Sequence, residues 1–83
     1  MKISDTIRMA LLKGGRSQAD LAQRWGFTSR QAMNNKFARG SWSANELSNV
    51  AEFTGGKLII RYPDGQEIPV APETDLTKKP DAE

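Results

Sequence analysis

Apolar positions recur at helical spacing through the first two thirds of the chain and alternate afterwards. Ile3, Ile7 and Leu11 stand four apart with Ala10 beside them, which predicts a helix from about Ser4 to Lys13. Leu21, Ala22 and Trp25 form the stripe of a second helix that opens at Ser17. Met33 and Phe37 mark a third over about residues 29–39, and Leu47, Val50, Ala51 and Phe53 mark a fourth. Gly14-Gly15, Gly26, Gly40 and Gly55-Gly56 follow these segments, where a residue tolerant of positive φ ends a helix. The starts are marked as well. Ser17 with Asp20 and Ser43 with Glu46 have capping-box spacing, and Trp42 and Leu47 flank the second box as a hydrophobic staple. For the third helix, Thr28 with Gln31 also fits a capping box, while Ser29 is an equally good cap.

Past Gly56, Leu58, Ile60 and Tyr62 alternate with Lys57, Ile59 and Arg61, the period of a strand. "YPDGQ" has tight-turn chemistry and "QEIPV" returns as the partner strand, which together predict a β-hairpin. A lone two-stranded hairpin is marginal in water. Leu58, Ile60 and Tyr62 are therefore expected to pack on the helices as core, or to meet another chain across an exposed strand edge. From Ala71 the chain carries two prolines and one large apolar residue, Leu76, too little burial to offset the cost of ordering. The expected organisation is mainly α: a helical domain over 1–56, a hairpin extension for packing or dimerisation over 57–70, and a disordered tail over 71–83.

Composition narrows the chemistry. The 83 residues include no Cys and no His, so thiolate nucleophiles, imidazole bases and the usual zinc ligands are absent. The acids Glu46, Glu52, Asp64 and Glu67 fall at a cap, on a helix and around a turn, with no convergent pair, phosphate loop or metal spacing. No enzyme, cofactor or metal site is expected. The N-terminal "ISDTIRMALLKGG" is charged every few residues, which argues against a signal peptide or membrane span and for a cytoplasmic protein. The net charge of +2 hides an asymmetry. Residues 1–40 hold eight Lys/Arg against two Asp, and residues 41–83 hold four against eight Asp/Glu. A basic half suggests a polyanionic partner.

That basic half contains "TSRQAMNNKFARG", residues 28–40. On a helical wheel Met33 and Phe37 share one side, while Gln31, Ala32, Asn35 and Arg39 cluster opposite, flanked by Arg30 and Asn34. Arg matches guanine O6/N7, and Asn and Gln match adenine N6/N7, so Arg30, Gln31, Asn34 and Asn35 are candidate base contacts. Lys36 and Arg39 suit phosphate, which positions without specifying sequence. No Asp or Glu occurs from residue 21 to residue 45. Trp25 and Trp42 are better read as core than as stacking platforms for bases.

"RSQADLAQRWGFTSRQAMNNKFARGSWSANEL" resembles the helix-turn-helix core of the lambda-repressor-like family, the Xre or Cro/C1 type. The likeness lies in S-Q-x-D-L-A from Ser17 to Ala22, Gly26, S-R-Q-A-M from Ser29 to Met33, and Gly40, within about residues 3–55. It implies a four-to-five-helix bundle whose third helix enters the major groove of double-stranded DNA. Gln18 and Ser29 then contact the backbone with Lys36 and Arg39, and Arg30, Gln31, Asn34 and Asn35 read bases. It also implies a transcriptional repressor of a phage-like or mobile-element operon, acting as a homodimer. Two departures stand out: six residues separate Gly26 from Met33 where five are expected, and a hairpin replaces the fifth helix. The competing reading is an antitoxin or adaptor whose tail binds a protein partner, a toxin or regulator, with DNA binding secondary.

Overall fold

A computed structural model describes residues 1–74 and Leu76, with four helices followed by one hairpin: α1 (Ile3–Lys13), α2 (Gln18–Trp25), α3 (Arg30–Arg39), α4 (Ala44–Phe53), β1 (Ile59–Arg61) and β2 (Glu67–Pro69). No helix among the described residues is long and apolar enough to cross a membrane. Both capping boxes form. Ser17 Oγ accepts from the Asp20 amide at 3.0 Å while the Asp20 carboxylate accepts from the Ser17 amide, and Ser43 and Glu46 repeat the exchange. At α3 the open choice falls to Ser29, whose hydroxyl accepts from the Ala32 amide at 3.1 Å. Each cap satisfies an amide that the first helical turn leaves without a partner.

Helix ends follow the glycines, with one refinement. Gly26, Gly40 and Gly55 take positive φ just past α2, α3 and α4, but at the first doublet it is Gly15, at φ 71°, that does so. Gly14 has a different reason to be glycine. A Cβ there would lie 2.7 Å from the Thr54 carbonyl oxygen, so the end of α1 sits directly against the end of α4.

Ile7, Leu11, Leu21, Met33, Phe37 and Val50 form the buried core, with Ala10, Ala22, Trp25, Phe27, Trp42, Leu47 and Phe53 packed around it. Trp42 stands edge-on to both Phe37, at 5.0 Å between ring centroids, and Trp25, at 6.3 Å. The two tryptophans are thus half-buried packing residues, in the arrangement aromatic rings prefer. The α1 stripe departs from expectation. Ile3 is 45 % exposed, and Ser4 occupies the buried place beside Ile7 and Leu11. The reason is polar. Ser4 Oγ donates to the Phe37 carbonyl at 2.8 Å and accepts from Trp42 Nε1 at 3.0 Å, joining α1 to the end of α3 and to the segment that enters α4.

The hairpin pairs Ile60 with Ile68 and Arg61 with Glu67. Its turn closes through the Gly65 amide on the Tyr62 carbonyl, and the Asp64 carboxylate accepts from the Gln66 amide. Leu58, Ile60 and Tyr62 do not all join the core as expected: Leu58 is half-buried, but Ile60 and Tyr62 are 48 % and 44 % exposed. α4 meets the base of the hairpin where Ser48 Oγ donates to the Val70 carbonyl at 2.6 Å.

The first residues of the segment beyond Val70 contact α4. Asn45 Oδ1 accepts from the Glu73 and Thr74 amides, Asn49 Nδ2 donates to the Thr74 carbonyl at 2.9 Å, and Asn49 Oδ1 accepts from the Leu76 amide. Two side-chain amides of α4 thus take up backbone groups of this segment, contacts that a count of apolar residues does not register. The rest of the expected tail, Asp75 and residues 77–83, lies outside the described residues.

Candidate functional site

α2 and α3 pack against each other across the four residues Gly26 to Ser29. Gly26 at φ 78° turns the chain out of α2, and the Phe27 amide closes the turn on the Ala22 carbonyl at 2.9 Å. Phe27 then folds back toward Trp25, at 6.4 Å between ring centroids, and packs beside the core. Between α2 and the first turn of α3 lies an open cleft of about 550 Å³, floored by Ala22, Phe27 and Met33 and rimmed by Gln18, Arg30 and Asn34.

With Met33 and Phe37 buried, α3 presents Arg30, Gln31, Asn34 and Asn35 to solvent. Gln31 Nε2 donates to Asn35 Oδ1 at 3.1 Å, one turn apart on a single face. Gln18, at the start of α2, donates through Nε2 to Asn34 Oδ1 at 3.3 Å, bracing α3 from the neighbouring helix. The amides are therefore held in place by one another while keeping unused donors and acceptors. Arg30 and Arg39 are exposed and make no ion pair among the described residues. Ser29, whose hydroxyl accepts as the α3 cap, retains its own proton to donate.

Lys36 is placed differently from the other candidates. Its ammonium lies 2.7 Å from Glu46 Oε2, donates to the Ser41 carbonyl at 3.1 Å and sits 5.1 Å from the centroid of the Trp42 ring. The two side chains are only 19 % and 23 % exposed. Three partners hold this cation against the α3–α4 connection, so the structure does not present it as a free phosphate contact. Its partner Glu46 lies ten positions along the chain, outside helical spacing, where no local pattern pairs the two.

Other basic residues of the N-terminal half are also engaged internally. Arg8 pairs with Asp5 at 2.8 Å and lies 5.0 Å from the Phe37 ring centroid. Arg16 and Arg24 flank Phe53, at 4.5 and 5.8 Å, each covering a partly buried ring with a cation. Part of the basic bias thus serves packing. The positive charge left over the amide face comes from Arg30 at one end of α3 and Arg39 at the other.

Comparison with protein families, curated proteins and solved structures finds no match for the chain, so its function is argued from its own side chains.

Proposed function

We propose that this chain is a sequence-specific DNA-binding transcriptional regulator, a repressor in type, whose α2–α3 pair works as a helix-turn-helix with α3 in the major groove. The observation that carries the reading is the outward face of α3. Four exposed Arg, Gln and Asn side chains stand there without an acid, and their amides are pre-positioned by the Gln31–Asn35 and Gln18–Asn34 bonds. Amides and guanidinium groups on an α-helix match the hydrogen-bonding edges that base pairs show in the major groove. Gln18, Ser29 and Arg39 are the backbone contacts in this reading, and Lys36 leaves that set for the reason given above. One α3 spans too few base pairs to be selective, so the protein acts as a homodimer on half-sites about 34 Å apart.

Selection of bound sequences from random duplex DNA, followed by titration of Gln31→Ala and Asn35→Ala, tests the proposal. Each change should cost about 1–3 kcal/mol on the selected site and little on unrelated DNA. Equal weakening on both DNAs, or no enrichment in the selection, rules the readout face out.

A further inference from the structure

The hairpin carries an apolar face that its own helices leave uncovered. The register places Leu58, Ile60, Tyr62, Ile68 and Val70 on one side of the two strands, and Ile59, Arg61, Glu67 and Pro69 on the other, where Ile59 is half-buried and Arg61 pairs with Glu67 at 2.7 Å. Leu58 and Val70, at the base, are half-buried. Ile60, Tyr62 and Ile68, nearer the tip, keep 48, 44 and 42 % of their surface exposed. A two-stranded sheet with its apolar face in water is marginal, and covering that face would stabilise it.

This face does not stop at Leu58. The same residue lines a groove of about 440 Å³ between α1 and α4, with Ala10, Leu47 and Ala51 on its walls and Lys13 and Lys57 at its edge. Groove and sheet face thus form one apolar strip, basic where the hairpin leaves the helices and acidic at the turn, where Asp64 stands. From Lys57 to Tyr62, just before the turn, the strip is about 17 Å long at the rise of a β-strand.

A strip with an apolar middle and opposite charges at its ends is complementary to itself when a second copy lies across it in the reverse direction. We infer that the partner on this face is a second copy of the chain, in a two-fold dimer centred on the Ile60–Ile68 pairs. The Asp64 turn of each protomer then reaches Lys13 and Lys57 of the other. A two-fold arrangement satisfies both ends at once, as isologous interfaces require. It also gives the hairpin the packed face that the helices do not supply. The inference rests on the proposed function only for the expectation of a dimer, and its test contains no DNA.

Sedimentation equilibrium of the full chain across a wide concentration range is the experiment, with circular dichroism to check that each variant folds. The parent chain should be a reversible dimer. Ile60→Glu puts a charge in the two-fold centre of both protomers and should raise the dimer Kd by at least about a hundredfold. Asp64→Lys should weaken the dimer about tenfold, and combining it with Lys13→Glu and Lys57→Glu should restore most of the loss. Asp64→Lys also removes the turn bond to the Gln66 amide, so the rescue is the decisive arm: Lys13→Glu and Lys57→Glu, both at exposed positions, restore an interface charge pair but not that bond. A parent chain monomeric at every concentration would assign the strip to a different partner and overturn the inference. So would a dimer indifferent to Ile60→Glu with the fold intact, or a reversed-charge set that stays as weak as Asp64→Lys alone.

Discussion

Replacing Lys36 with Met separates packing from DNA contact at one position. Met keeps the apolar stem that lies beside Trp42 and removes only the ammonium, with its 2.7 Å contact to Glu46 and its bond to the Ser41 carbonyl. Exposed ion pairs contribute roughly 0–1 kcal/mol, and removing one member of a fully buried pair costs about 3–5 kcal/mol. With the two side chains 19 % and 23 % exposed, this pair lies between those limits. Glu46 also stays bonded to the Ser43 amide after the change, which limits the loss. About 2 kcal/mol is expected, a fall in Tm of roughly 8–16 °C for a domain of this size. Adding Glu46→Gln should recover about 1 kcal/mol in a double-mutant cycle by thermal or urea denaturation. Under the proposed DNA-binding function, in which Arg39 contacts phosphate, Lys36→Met should leave the log–log slope of affinity against salt at the parent value, whereas Arg39→Ala should flatten it by about 0.9. A Lys36→Met protein with unchanged Tm and a slope flattened by that amount would refute the assignment of Lys36 to the fold.

Three further outcomes follow from named contacts. Ser4→Ala strands the Trp42 indole N–H and the Phe37 carbonyl together and should cost about 2–4 kcal/mol in urea denaturation, while Trp42→Phe, which leaves no orphaned donor, should cost less on the polar side. Gly14→Ala drives a methyl to 2.7 Å from the Thr54 carbonyl oxygen and should destabilise by about 1–3 kcal/mol, whereas Gly15→Asn, at a positive φ with open space around it, should cost under about 1 kcal/mol. Asn49→Leu removes the acceptor for the Leu76 amide and a donor to the Thr74 carbonyl. Hydrogen exchange at the Leu76 amide should then accelerate at least about tenfold, while amides of α3 keep their rates.

Local chemistry carried the helices. The serine caps of α2 and α4, the glycines beyond α2 and α3, and the buried pair Met33 and Phe37 were all legible, because capping, positive φ and helical period act over a few residues. The polar face of α3 was legible for the same reason: once Met33 and Phe37 turn inward, the wheel sends Gln31, Asn34 and Asn35 outward. The hairpin turn followed from Pro63, Asp64 and Gly65, whose preferences are equally local.

What only the tertiary structure decided involves partners far apart in sequence. Ser4 displaced Ile3 from the core because it bridges Phe37 and Trp42, 33 and 38 residues away. Lys36 was taken up by Glu46, and backbone amides after Ala71 found acceptors on Asn45 and Asn49, on a helix nearly thirty residues earlier. Ile60 and Tyr62 stayed in water although they alternate as Leu58 does, and alternation cannot report which part of a strand face another element covers. A periodic pattern says which side chains share a face. Whether another element reaches that face, and which charge or hydroxyl it brings, depends on how the chain closes on itself.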